Sequence, residues 1–242
     1  MHIKNFEWTE FHSYRVFDEF LETFLLSKKS YVTNHDQTLN LTTAFEDIRV
    51  RFVGGYDDSS QNFETKVIQQ FLDAKIENKI VFSNVEYLWA MPIANVLPNS
   101  KREYAERWFS GDQIVEDDGQ YFFNDPHSIA DPGQWYLVNK YNELIAILRI
   151  LSILHADSTV VDIDTAKKRI IEICYEAIYE GVDKNEKFST SVKCGVHSAL
   201  LHLADPDQFE SIISSGHKDR ITAVFKNIIE DRSESQCREK KI

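Results

Sequence analysis

Turn-forming residues are scarce in this chain. Eight Gly and five Pro in 242 residues leave few sites for tight turns, which disfavours a many-stranded β-sandwich and favours long helices. Cysteine is scarce too: Cys174, Cys194 and Cys237 are odd in number, stand 20 and 43 residues apart, and form no Cys-x-x-Cys pair. That pattern excludes a disulfide framework and reads as thiols kept reduced. Basic charge is in deficit, with 27 Lys and Arg against 39 Asp and Glu and a formal net charge of −12. Bulk attraction to nucleic acid is therefore excluded, although a basic face can still bind it, because recognition depends on the field at one surface. No apolar run is long enough for a bilayer. The most apolar window, Leu144–Leu154, has 11 residues and contains Arg149, against the about 20 that a spanning helix needs. Met1–Phe6 carries Lys4 but leads into no apolar export segment, so the expected location is the cytoplasm, away from membranes.

What is present is a folding composition. Apolar residues make up 43% of the chain, with 16 Phe and 10 Tyr, enough for one large core. The periodicity is helical almost throughout. Phe11, Tyr14, Phe17, Phe20, Leu21, Phe24 and Leu25 return to one side of a helix over Glu10–Ser27. Leu41–Val53 and Phe63–Leu72 are amphipathic, and Val81–Met91 is apolar and reads as helix, although Val81-Phe-Ser-Asn-Val85 could pass for a strand. Ser100 and Glu103 have the spacing of a capping box. The pattern fails from Gly111 to Gly133, a loop-rich insert, and then resumes as a nearly all-round apolar helix over Tyr136–His155. Asp162 or Asp164 caps the next helix, which stops at Gly181, and Val192–Ala204 and His217–Ile229 complete the set. The expected fold is an all-α, irregular helical domain of about nine or ten helices. It spans residues 1–230 as one unit, with a subdivision conceivable at the polar turn 54–60, and 231–242 read as a polar extension or linker. Phe17, Phe24, Leu88, Trp89, Leu144, Leu148, Leu151, Ile171, Leu200 and Phe225 are the expected core.

Catalytic and metal motifs are thin. Asp162-Ile-Asp164 lacks the Gly and the closing Glu of a calcium loop and reads as helix capping. Glu116-Asp117-Asp118 reads as a solvated acidic loop. His197 and His202, five apart, do not share a helix face as a zinc pair would, and Cys194 with His197 has no third ligand nearby. Pro206-Asp207 with Glu239-Lys240-Lys241 copies the letters of a PD…ExK nuclease. Such a site needs strand ends converging on a metal, whereas these residues fall in a helix cap and a charged tail. With no Gly-x4-Gly-Lys-Ser/Thr loop and no Gly-x-Ser-x-Gly elbow, neither nucleotide hydrolysis nor a serine hydrolase is expected. No cofactor, metal or catalytic residue is assigned.

Binding candidates are more numerous. Trp135 and Tyr136, followed by Lys140, place two aromatics and a cation at a loop-to-helix junction that could stack a base and meet a phosphate, or simply close the core. Lys101, Arg102 and Arg107 share a helix that Trp108 could anchor, and Lys167, Lys168 and Arg169 form the densest internal basic run; either group could contact phosphate or simply be a solvated helix face. His217 and Lys218 open the last helix, where a cation is unfavourable for the dipole, which points to an acidic partner across the fold.

The segment His202-Leu-Ala-Asp205-Pro206-Asp-Gln208-Phe-Glu-Ser-Ile-Ile-Ser-Ser-Gly216-His217-Lys218 reads as a short helix, a break and a second helix. It resembles the stretch just ahead of the motor domain in McrB-type AAA+ nucleotidases. Phe63-Glu-Thr-Lys66 with Gln70, Leu88-Trp-Ala-Met-Pro92 leading to Lys101-Arg-Glu103, and Pro132-Gly133…Tyr136…Asn139-Lys140…Glu143-Leu144 are similar to further passages of those proteins, in the same order. Ser128-Ile-Ala130 departs from the Gly-Ile-Ala or Gly-Ile-Gly found there. The resemblance implies a non-catalytic N-terminal recognition or sensor module of a modification-dependent restriction or anti-phage system. It would work beside an AAA+ motor domain and a partner nuclease, and its own oligomerisation is possible. Its expected ligand is modified DNA, alternatively a phage protein or partner subunit. A DNA reader requires the cations to segregate onto one face, and a protein-docking module requires an exposed apolar patch. An unrecognised hydrolase requires Asp, Glu or His converging in a cleft.

Overall fold

The computed structural model describes residues 8–94, 96–109, 113–115, 128–179, 193–214 and 216–226. Among them the fold is all-α, with ten helices and no strand or sheet. They are α1 (Trp8–Phe20), α2 (Leu41–Ile48), α3 (Phe63–Gln70), α4 (Ile76–Ala90), α5 (Pro98–Glu106), α6 (Gln134–Val138), α7 (Lys140–Ala156), α8 (Ile163–Tyr179), α9 (Val196–Ala204) and α10 (216–226). The first two each run on into a π-helical turn, Leu21–Leu26 and Arg49–Val53, so the amphipathic segments read over Glu10–Ser27 and Leu41–Val53 are continuous rods with a changed pitch. Loop segments are tied by isolated bridges, Thr33 to Ile114 and Ile93 to Ala130.

The helices of evenly apolar composition are the central ones. α4 and α7 pack on each other and are flanked by α2, α5, α8 and α9, while α1 closes the bundle against α9. A single hydrophobic cluster runs from Val16 to Ile213. Phe52 and Val67, on either side of the polar turn 54–60, both enter it. Asp162 caps α8, its Oδ1 accepting the Thr165 backbone N–H at 2.8 Å. Eight of the ten expected core residues are buried, and Ile171 packs partly buried at the edge. Phe225 is the exception at 48% exposed, because α10 leaves Ile221, Val224 and Phe225 in solvent.

Several sequence boundaries need correction. Ser100 is not a cap: α5 begins at Pro98, whose fixed φ suits a first helical position, so Ser100 lies within the first turn. The segment 136–155 is two helices, because the chain starts at Gln134 after Gly133 (φ 75°) and breaks at Asn139. α9 starts at Val196 and not at Val192. Asp205, Pro206 and Gln208 make a single turn and no helix; Asp205 Oδ1 accepts the N–H groups of Asp207 and Gln208 at 3.2 Å, so the capping contact forms without propagation. Most of the insert expected over Gly111–Gly133, the acidic run Glu116–Asp118, Cys237 and the tail 231–242 lie outside the described residues.

Candidate functional site

α4 carries one carboxylate into the core. Glu86 is 0% exposed, and both its oxygens accept from Arg107 Nη1 at 2.9 Å. Lys140 Nζ, at the start of α7, approaches the same carboxylate at 3.0 Å and Glu64 of α3 at 3.2 Å; Arg107 also bridges to Glu64. Two carboxylates and two cations from four parts of the chain therefore neutralise one another. A charge this deep is tolerated only when it is paired and hydrogen-bonded. The Lys140 ammonium is enclosed as well by rings: its Nζ lies 4.0 Å from the Tyr104 centroid, 4.7 Å from Trp89 and 4.8 Å from Phe63. Burial, and then the carboxylates of Glu86 and Glu64, push the Tyr104 phenol up to about 12, so it stays a neutral hydroxyl.

Above this network opens a cleft of about 570 Å³, with Phe63, Trp89, Tyr104 and Tyr141 as aromatic walls and Glu64, Ser100 and Lys140 as polar points. That volume falls within the roughly 300–1,000 Å³ typical of ligand pockets. Leu97 and Val138 line its mouth and are 68% and 72% exposed; Trp135, one turn before Val138, is 61% exposed. A smaller pocket of about 170 Å³ shares Phe63 and Tyr141 with the cleft and adds Tyr56, Asp57, Lys66 and Gln70. Its lysine fastens the polar turn, Lys66 Nζ donating to the carbonyls of Asp57 at 2.7 Å and Ser59 at 2.6 Å.

The structure gathers only part of the expected site. Trp135 is exposed near the cleft mouth, but Tyr136 is buried, its hydroxyl donating to the Trp89 carbonyl at 3.0 Å, so it closes the core and stacks on no ligand. Lys140 belongs to the cleft floor with its charge consumed. Lys101 is buried, donating to Ser128 Oγ at 2.8 Å and the Met91 carbonyl at 3.2 Å, which removes it from any phosphate. Arg102 pairs with Glu106 at 2.7 Å, Lys167 pairs with Asp18, and Lys168 is exposed beside Asp162. Lys218 has the acidic partner that its position at a helix start demands, Glu210 at 2.7 Å, while His217 is exposed. Glu86, Val138 and Leu97 escaped the sequence reading. The available signal was a lone carboxylate inside the apolar run of α4.

A further carboxylate is buried on α7. Glu143 of α7, fully buried, accepts the N–H groups of Gly195 and Val196 at 2.8 Å each, capping α9 from a distant helix. Burial outweighs these bonds and raises its pKa to about 7. His197, one residue on, is held down to about 4 by burial and then by the Arg149 charge. Burial also pushes the Cys174 thiol well up, so it is not a nucleophile at neutral pH. No group of three or more His, Cys, Asp or Glu that could hold a metal occurs among the described residues. Gly195 is required where it stands: a Cβ would lie 2.8 Å from Tyr136 Cδ2 and 2.9 Å from Ile213 Cγ2. Gly195→Ala is expected to cost about 1–3 kcal/mol in urea denaturation; no loss would mean that the Tyr136 ring gives way freely.

No protein-family model, curated protein or solved structure matches the chain. No described helix is long and apolar enough to cross a membrane.

Proposed function

We propose that this protein is a non-catalytic recognition module of an McrB-like restriction or anti-phage defence system, and that it engages a protein partner through the aromatic cleft. The supporting observation is the disposition of apolar and basic groups around that cleft. Leu97 and Val138 are large, exposed and at its mouth, with Trp135 nearby, which is the kind of patch that marks a docking surface. Of the candidate cations, Lys101 is held inside by a carbonyl and a hydroxyl and Lys140 by two carboxylates, while Arg102, Lys167 and Lys218 each pair with one carboxylate nearer the surface and Lys168 stays exposed beside Asp162. A duplex reader needs several free Lys and Arg on one face, since phosphate contacts supply most of its affinity. The AAA+ motor and nuclease that the sequence resemblance implies would act beside this module, supplying the turnover.

Modified DNA is the competing partner, and one experiment separates the two. Mobility shift on matched plain, methylated and hydroxymethylated duplexes is expected to show at most weak binding that vanishes at physiological salt. Tight, salt-resistant binding to one modified duplex would overturn the protein-partner reading.

A further inference from the structure

The ion network under the cleft is divided unequally between buried and accessible members. The side chains of Glu86, Arg107 and Lys140 are 0%, 8% and 7% exposed, and these three groups alone leave one positive charge uncompensated. Glu64 supplies the missing negative charge, and its side chain is 44% exposed. Its two oxygens are shared between the cations: Oε1 lies 3.2 Å from Lys140 Nζ, and Oε2 meets Arg107 Nη2. Arg107 gives its other terminal nitrogen, Nη1, to Glu86, which also holds Lys140 at 3.0 Å. Two cations anchored from below by Glu86 therefore form a fork that takes one carboxylate, one oxygen on each. That fork adjoins the cleft. Glu64 and Lys140 both line it, beside Phe63, Tyr104 and Leu137, so a carboxylate entering there has about 570 Å³ of largely apolar space for the rest of its molecule.

We propose that the cleft binds a ligand carrying one carboxylate on an apolar body, and that Glu64 is the internal plug of that site. The incoming carboxylate takes the place of Glu64 between Arg107 and Lys140, Glu64 turns out to solvent, and the apolar body lies against Phe63, Tyr104 and Leu137. The exchange keeps the buried network neutral. An amide in the same place would leave a desolvated cation unpaired, and a cationic group would add a second, so both are rejected. A free carboxylic acid and the C-terminal residue of a partner chain share this chemistry. The site stands on the ion network and not on the exposed rim, so it holds or fails separately from protein docking at Leu97 and Val138.

The test is chemical rescue of Glu64→Gln in the full chain, read by thermal denaturation and titration calorimetry. The probes are 3-phenylpropionate, its amide, and a tetrapeptide of three glycines and a terminal phenylalanine with a free or an amidated C-terminus. Glu64→Gln is expected to melt below the parent, and a carboxylate probe to restore most of the lost Tm where the matching amide restores none. Affinity for that carboxylate should be at least about tenfold higher in Glu64→Gln than in the parent, because no plug has to be displaced. Adding Lys140→Met to Glu64→Gln should abolish the rescue. The parent needs no altered fold to be informative: it should bind the carboxylate weakly and the amide not at all. Rescue by 3-phenylpropionate alone assigns a free acid, and rescue by the free-ended peptide alone assigns a partner's C-terminus. Equal effects of acid and amide, rescue that survives Lys140→Met, or no binding of either carboxylate to parent and variant would overturn the site.

Discussion

Glu86→Ala is expected to destabilise the fold by about 3–5 kcal/mol, because it leaves Arg107 and Lys140 facing each other in a desolvated site with only Glu64 to share. For a domain of this size that corresponds to a fall in Tm of about 10 °C. The asymmetry of the network sharpens the test. Arg107→Met leaves Glu86 still paired with Lys140, and Lys140→Met leaves it paired with Arg107, so each should cost less than removal of the shared carboxylate. The double variant Glu86→Ala with Arg107→Met should recover part of the loss, since one orphaned cation is gone. Thermal and urea denaturation of the four proteins measure this. A loss below about 1 kcal/mol in Glu86→Ala would mean that water reaches the network and that the cleft floor is not dry.

The second large effect is a pair of opposed pH dependences at the start of α9. Glu143 has a folded pKa of about 7, above the ordinary carboxyl value of 4.5. Between those values the folded state binds the proton and the unfolded state does not. Its contribution is therefore complete below pH 4.5 and is lost as pH rises to about 7. His197 runs the other way, with a folded pKa of about 4 against 6.5. Its contribution is complete above pH 6.5 and is lost as pH falls towards 4. Each displacement is worth about 3 kcal/mol, and the two nearly cancel over the interval they share, pH 4.5 to 6.5. Removing either member should expose the other. In Glu143→Gln, stability should climb with pH across that interval by about 1 kcal/mol per unit, relative to the parent. In His197→Gln it should fall with pH by a similar slope, continuing to about pH 7. Urea denaturation at half-unit steps reads both. Parallel profiles in the parent and both variants would remove these groups from the pH dependence.

Helices were legible in the sequence because their signal is periodic and local. The apolar spacing of Phe17, Phe20 and Phe24 and the Asp162 cap need no knowledge of the rest of the fold. The segment Asp205–Gln208 shows the limit of that logic. Its capping chemistry forms as read, yet the turn does not extend: Phe209 and Ile213, which follow, reach the core without a helix. Phe225 shows the same limit from the other side: Ile221, Val224 and Phe225 have the spacing of a core face, but whether a face is covered is a tertiary fact. The site was less legible still. Lys101, Lys140 and Lys167 look like phosphate ligands when only their own helix is visible. The side chains that engage them come from 27 to 149 residues away: the Ser128 hydroxyl for Lys101, Glu64 with Glu86 for Lys140, and Asp18 for Lys167. The carboxylates gave the better clue. Glu86 and Glu143 sit within apolar helices, where an ionisable group persists only if something specific holds it.

The most direct test of the cleft as a protein-docking surface is site-specific photo-crosslinking, with a benzophenone amino acid replacing Val138 at the cleft mouth or Val161 far along the chain. Both positions are 72% exposed, so accessibility is matched and only location differs. The account predicts a discrete protein adduct from Val138 that is absent from Val161 and suppressed when Leu97→Arg is added. Adducts of equal yield from both positions, or an adduct to nucleic acid from Val138, would contradict it.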